Sequence, residues 1–335
     1  MSDENAGSRS SAKRGAPPPD IADLARVEDR ISFLYFEHCK INRADNAITV
    51  RNDQGTTYVP SAILSVLMLG PGTDITHDAM KLIGESGVSV VWVGERGIRM
   101  YAFGQPLTHS SALLQQQAKL VSNTRTRLAV ARKMYSMRFA GEDVSKLTMA
   151  QLRGREGVRV RRVYKKWSQE TGVAWDQRTY NPVDFDDATE INKALSAAHV
   201  CLYALAYSAI VALGCSPGLG FVHTGHEKSF VYDIADLYKA EISIPVAFKT
   251  AAEHPDDIGA ETRRNMRDEI YDLSILSRMV HDIKGLLLAG DADGKAGDID
   301  PSSNHLGLWD EKTGEVPAGK SYAAYSADGS EGDDR

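Results

Sequence analysis

The stretch Ile98-Arg99-Met100-Tyr101-Ala102-Phe103-Gly104-Gln105-Pro106 divides the chain into two kinds of pattern. Upstream of it, from about Arg30, short apolar runs at Ile31–Phe36, Ala47–Arg51, Thr56–Val59, Ile63–Leu69 and Val88–Val93 read as strands, and Ile98–Phe103 is the last of them. Turn signals separate these runs at Asp45-Asn46, Asp53-Gln54-Gly55, Gly70-Pro71-Gly72 and Gly94–Gly97. Only Thr76–Ser86 has helical character in this half. Downstream of Pro106 the period lengthens, and helices are expected over about 112–139, 148–171, 188–213, 229–241, 243–252 and 260–288. The expected fold class is α+β: an N-terminal β-sandwich-like domain, residues 30–107, followed by a larger all-helical domain, residues 108–290.

The ends differ from this body. Residues 1–29 are rich in Ser, Gly, Ala and charge, include Pro17-Pro18-Pro19, and read as a disordered extension. Residues 291–335 are acidic and glycine-rich without sustained periodicity, and read as a flexible tail. The 335-residue chain, 42% hydrophobic, is long enough for two domains. Its three cysteines, Cys39, Cys201 and Cys215, lack metal-ligand spacing, and no signal peptide precedes them, so a cytoplasmic protein is expected. Ala194–Gly214 carries no formal charge and has about the length that spans a bilayer. Its alanines and serines, with His199, Tyr203 and Tyr207 interrupting, read instead as a central core helix, with no membrane involved. No phosphate-binding Gly-Lys-Ser/Thr loop and no G-x-G-x-x-G after a strand occurs, so use of ATP is not expected.

The net charge of −6 conceals an asymmetry. Between Gln115 and Glu170 there are fourteen Lys or Arg against four acids, whereas Asp291–Arg335 holds eleven acids against four bases. A basic body with an acidic tail is the footprint of a polyphosphate-binding protein, although a charged solvent-facing helix gives the same count. Arg153, Arg155, Arg159, Arg161, Arg162, Lys165 and Lys166 surround one acid, Glu156. Such self-repulsion costs stability unless an anion relieves it.

The segment from Gly220 to Leu237, G-F-V-H-T-G-H-E-K-S-F-V-Y-D-I-A-D-L, concentrates His223, Asp233 and Asp236 in apolar surroundings. On a helix beginning near Ser229 the two aspartates lie about 60° apart on one face, at the edge of a stripe formed by Phe230, Ile234, Leu237, Tyr238 and Glu241. Two carboxylates with an imidazole suit Mg²⁺ or Mn²⁺, whereas zinc draws on cysteine or several histidines. On spacing alone a solvated aspartate pair, with Ser229 capping the helix and His223 satisfied locally, remains the commoner outcome.

Three motifs in order resemble one family: Gln151-Leu152-Arg153-Gly154-Arg155-Glu156-Gly157-Val158-Arg159, then Gly220–Gly225, then Ser229–Leu237. They look like the integrase subunit of CRISPR adaptation, CRISPR-associated protein one, in its type I-E form. Similarity continues through Ile31–Phe33, Val91–Glu95, Gly104-Gln105-Pro106, Arg132-Lys133-Met134 and Cys201-Leu202-Tyr203, and covers about Arg30 to Leu288. The resemblance implies that Glu156, His223 and Asp236 are metal ligands for Mg²⁺ or Mn²⁺, with Asp233 a catalytic neighbour. It implies double-stranded DNA fragments and CRISPR repeat DNA as substrates, and a homodimer joined to a small second adaptation subunit in a heterohexamer. The implied reaction is transesterification, a fragment's 3′-hydroxyl attacking a phosphodiester at the repeat boundary without ATP.

On the same basis Arg99, Arg153, Arg155, Arg159, Arg162, Tyr180, Tyr203 and Lys239 are candidate DNA contacts. One position departs from the family: the aromatic that stacks on the end of the incoming duplex falls at His38. Two other functions use the same residues. A repair nuclease would employ the same ligands with water as nucleophile, and a catalytically silent scaffold would bind DNA without reacting.

Overall fold

The computed structural model describes residues 33–94, 100–104, 111–139, 141–178 and 188–288, together with the backbone of 307–310 and 314–317. Two four-stranded sheets form the N-terminal part. The first contains β1 (Leu34–Phe36), β5 (Val66–Leu69), β7 (Ser89–Val93) and β8 (Met100–Gly104), in that order. Its first three strands are parallel and β8 is antiparallel. The second runs β4 (Gly55–Pro60), β3 (Ala47–Asn52), β2 (Lys40–Ala44), β6 (Asp74–Ile75). Here β2, β3 and β4 form an antiparallel meander, and β6 lies parallel to β2.

Strand β5 explains how the sheets and the helices share one molecule. All four of its residues are buried, because alternate side chains enter different cores. Leu67 and Leu69 point into the core between the sheets with Ile41, Ile48, Val50 and Val90, closed by Ala79, Leu82 and Ile83 of α1 (His77–Glu85). Val66 and Met68 point the other way, with Phe33, Val91 and Val93, into the core built by the helices. The Ser208 hydroxyl donates to the Ser65 carbonyl across this seam, and the Arg263 guanidinium lies 4.1 Å from the Tyr35 ring.

The helical part consists of α2 (Ala112–Ser122), α3 (Thr124–Arg138), α4 (Met149–Thr171), α5 (Glu190–Ala212), α6 (Ser229–Tyr238), α7 (Ile244–Ala252), α8 (Ile258–Asp272) and α9 (Ile275–Leu288). Helix α5 is the axle. It is long and apolar enough to cross a membrane, yet 89% of that apolar window is buried inside the protein, against α6, α7, α8, α9 and β5. Burying each of its Leu and Ile side chains contributes roughly 1.5–3 kcal/mol, so the apolar run is accounted for as core.

Several sequence expectations are corrected. The helix expected over 112–139 is two, because Asn123 has extended backbone and its side chain caps α3 by accepting from the N–H groups of Arg125 and Thr126. The helix expected over 260–288 breaks at Ser274, whose φ of 50° is left-handed. Conversely, the helices expected over 229–241 and 243–252 are not separated: one turn of π-helix, Lys239–Ser243, joins α6 to α7, and Pro245 falls in the first turn of α7, where a missing N–H is tolerated. Strands β2 and β6 were not anticipated, since β2 (Lys-Ile-Asn-Arg-Ala) shows only Ile41 fully buried. Within the segment expected to be a structureless tail, β9 (Gly307–Asp310) and β10 (Gly314–Pro317) pair as an antiparallel hairpin.

Helix α4 starts with a reciprocal cap: the Thr148 hydroxyl accepts from the Gln151 N–H, and the Gln151 side chain accepts from the Thr148 N–H. It ends at Gly172 with φ 74°. Two interior glycines, Gly154 and Gly157, weaken it between these ends. Thr148→Ala is therefore expected to cost about 1 kcal/mol, lowering Tm by roughly 2–4 °C, while Thr148→Ser preserves stability. Thermal denaturation followed by circular dichroism measures both.

Candidate active site

The site begins with a buried carboxylate. Asp233 lies one turn into α6 with no solvent exposure, instead of at the rim of the apolar stripe as its spacing suggests. Its Oδ2 accepts from the backbone N–H groups of Phe221 (2.5 Å) and Val222 (3.0 Å), and Oδ1 accepts from that of His223 (2.9 Å). Oδ1 also meets His223 Nδ1 at 2.7 Å. Three successive amides and an imidazole thus satisfy a carboxylate that would be costly to bury alone.

The loop it holds is clamped from other directions too. Arg127 donates through Nε to the Phe221 carbonyl and through Nη2 to that of Gly220, each at 3.0 Å. The Gln117 amide donates to the carbonyls of Ser216 and Leu219 and accepts from the Ser216 N–H. At Gly220 no larger residue fits, since an added Cβ would lie 2.5 Å from the His223 carbonyl oxygen and 2.8 Å from the Ser229 carbonyl carbon. Ser229, expected as a helix cap, makes no capping bond. Its hydroxyl donates to the His226 carbonyl at 2.6 Å and accepts from the His226 N–H.

This scaffold determines which nitrogen of His223 is free. Neutral imidazole that donates Nδ1–H to Asp233 presents the lone pair of Nε2, which lies 3.9 Å from Asp236 Oδ2. The bond to Asp233 raises the His223 pKa against the opposing effect of burial. A folded value above the unfolded one means that this contribution to stability is present below the unfolded pKa and lost as pH rises through the folded one.

Asp236 follows one turn later on the same face of α6. Lys239 Nζ reaches its Oδ1 at 2.6 Å, and Arg138 Nη1 lies 3.9 Å from its Oδ2. Burial alone would raise the Asp236 carboxyl, but Lys239, Arg138 and His223 hold it below the ordinary aspartate range. Burial likewise acts to lower Lys239, and Asp236 outweighs it, holding the ammonium well above its usual value. Glu156 enters from α4, where Arg159 grips both carboxylate oxygens at 2.9 and 3.0 Å, and Oε1 lies 3.7 Å from the same Arg138 Nη1.

Glu156, His223, Asp233 and Asp236 are therefore gathered in one place, from α4, the loop before α6, and α6 itself. Tyr203 of α5 joins them, its ring 4.9 Å from Lys239 Nζ and edge-on to Tyr232 at 5.2 Å. Arg159 and Lys239, expected at DNA, bind the two carboxylates. Arg153, Arg155 and Arg162 are exposed along α4, Arg155 pairing with Glu142. His38 is remote in sequence and sheet, in the turn after β1 with φ 48°, its ring over Gly72. Arg99 and Tyr180 lie outside the described residues.

Sequence reasoning missed Arg138 and Tyr232. Arg138 was detectable: Val130, Ala131, Met134 and Tyr135 form the buried stripe of α3, and residue 138 continues it at helical spacing. Two carboxylates and an imidazole are donors of the kind a hard divalent cation takes. Among the described residues, however, no three acidic, histidine or cysteine side chains are gathered closely enough to enclose one. Glu156 and Asp236 flank Arg138 instead, and a bound ion requires side-chain rearrangement there.

The family described as "CRISPR associated protein Cas1" matches residues 32–144 and 135–254. A CRISPR-associated endonuclease Cas1 from Clostridium sp. (strain SY8519) is 52% identical over 307 residues, 91% of this chain and 100% of the relative. The protein of the same description from Escherichia coli (strain K12) is 39% identical over 266 residues, 79% of this chain and 87% of the relative. The crystal structure of a TtCas1–DNA complex superposes with a TM-score of 0.75 at 43% identity, covering 86% of this chain and all of that one. The chain belongs to the Cas1 family.

Because Asn has one acceptor oxygen where Asp233 uses two, Asp233→Asn strands a buried amide. It is expected to cost at least about 2 kcal/mol, read by urea denaturation. Hydrogen exchange should localise the loss to the amides of residues 221–223, which Asp236→Asn leaves protected.

Proposed function

We propose that this protein is a metal-dependent DNA integrase and endonuclease of CRISPR adaptation, of the type I-E form. It inserts short DNA fragments into a CRISPR array by attack of a fragment's 3′-hydroxyl on a phosphodiester of repeat DNA. It works in the cytoplasm as a homodimer joined to a small second adaptation subunit in a heterohexamer. Residues 108–290 form the catalytic domain and 30–107 the β domain, flanked by the 1–29 extension and the acidic 291–335 tail. Family membership supports the reaction class, and the single observation that carries the site is the orientation of His223, Nδ1 on Asp233 and Nε2 toward Asp236.

In this reading Glu156, Asp236 and His223 Nε2 hold Mg²⁺ or Mn²⁺. When bound, the ion polarises a phosphoryl oxygen and lowers the pKa of the attacking hydroxyl. Asp233 acts as a positioning residue, fixing the His223 tautomer and the loop that carries it. Arg159 and Lys239 hold the Glu156 and Asp236 carboxylates in place. Tyr203, with Tyr232 beside it and Lys239 over its ring, offers a face on which an unpaired base stacks. The exposed Arg153, Arg155 and Arg162 neutralise phosphates along α4, and His38, Arg99 and Tyr180 are proposed as further DNA contacts.

The description of the relatives as endonucleases favours a second reading, in which water replaces the 3′-hydroxyl at the same centre. A scaffold without catalysis has no comparable support. Strand transfer of a short duplex into repeat-bearing plasmid with Mg²⁺, with and without the second subunit, separates these. Joined product is expected; cleavage without joining supports the nuclease, and neither supports the scaffold. His223→Ala and Asp236→Ala should abolish joining while duplex binding is largely kept. Asp233→Asn should lower joining by about 10–100-fold, the range for a residue that orients a metal ligand.

A further inference from the structure

The charges at this centre cancel. Glu156, Asp233 and Asp236 are negative and His223 is neutral in the form drawn above. Arg159 lies 2.9 Å from Glu156, Lys239 2.6 Å from Asp236, and Arg138 3.7 and 3.9 Å from Glu156 and Asp236. The result is three cations on three carboxylates.

Arg138 is the anomalous member. Its side chain is 2% exposed, and a guanidinium does not shed its proton. Its contacts leave it under-satisfied. The two carboxylate oxygens lie beyond the roughly 2.7–2.9 Å of a charge-assisted hydrogen bond. Nη2 reaches the Asp233 carbonyl only at 3.4 Å, and Nε is buried without a hydrogen-bond partner. The Tyr135 ring, 5.0 Å away, and the C-terminal end of α3 hold the charge in place. A fixed positive charge thus stands between the two carboxylates that would share a metal ion.

An entering divalent cation adds positive charge to a set whose negative charge is already neutralised, and at this range and burial the repulsion from Arg138 is strong. Glu156, Asp236 and His223 offer three side chains, so water fills the rest of the about six positions that a hard cation takes. A DNA phosphate restores the missing negative charge, and its non-bridging oxygens can take the place of that water. We propose that the free protein binds a divalent cation weakly and that a DNA phosphate completes the cation site, so that metal and DNA bind interdependently, with Arg138 as the residue that enforces the coupling. The proposal rests on the metal-binding reading above. Coupling of this kind is reciprocal: the factor by which DNA tightens the metal is the factor by which the metal tightens DNA.

The test is titration of the full chain with Mn²⁺, read from the electron paramagnetic resonance of the free ion. It is run alone and with a short duplex lacking 3′-hydroxyls, with Asp236→Asn plus duplex as the blank for ions held by DNA itself. Binding at least about tenfold tighter in the complex is expected. Arg138→Gln without DNA should bind Mn²⁺ about tenfold more tightly than the wild-type chain. Should Arg138→Gln fail to fold, Lys239→Gln, at a more exposed partner of Asp236, is expected to shift affinity in the same direction. Equal affinity with and without duplex, or no tightening in a folded variant, overturns the coupling and leaves the metal site standing. Mn²⁺ uptake no greater than that of the Asp236→Asn blank in both states removes the metal reading and the proposal together.

Discussion

The grip of the Asp233 carboxylate on three consecutive backbone amides is the interaction on which the site depends. A loop rich in glycine and polar residues buries little apolar surface beyond Cys215 and Phe221, so much of its shape comes from hydrogen bonds. Asp233 supplies them from inside α6, Arg127 and Gln117 from α3 and α2. The same carboxylate orients His223, so one buried group fixes both the path of the loop and the chemistry its histidine presents. Removing the charge while keeping the shape disturbs both, which is why a conservative exchange at this position is not a mild one.

Around that anchor the protein arranges acids and bases in opposition. Asp236 and Glu156 arrive from different helices and would repel, yet each is matched by a cation of its own helix, Lys239 and Arg159, and both share Arg138. The local pairs are spaced i to i+3, so the helices deliver them prepaired. Arg138 is different in kind: it comes from a third helix and is buried, and its charge acts on both acids at once. The π-turn after α6 lies directly beside this cluster, at the residue that brings Lys239 onto Asp236.

Much of this was legible beforehand for identifiable reasons. The change from period-two runs to longer periods located the junction of sheet and helices, because burial on one face leaves that mark in any sequence. The triple motif brought Glu156 together with His223, Asp233 and Asp236 across long stretches of chain, which spacing alone could not do. Where local pattern failed, a single atom or angle had decided: the Asn123 cap that divides α2 from α3, the left-handed Ser274 that divides α8 from α9, the π-turn that joins α6 to α7. Strand β2 carries one fully buried side chain, too few to generate an alternation.

The sequence by itself determined the α+β plan, the burial of the uncharged α5 as core, and the family to which the chain belongs, since these follow from periodicity, composition and ordered motifs distributed along the chain. Only the tertiary structure decided that Asp233 lies wholly inside while Asp236 faces the site, that Arg138 alone among the basic residues of its segment turns inward between two carboxylates, and that Arg159 and Lys239 neutralise acids. The reason is physical. Periodicity records which face of an element is dry, whereas the partner of a buried charge is chosen by whatever other elements bring within a few ångströms.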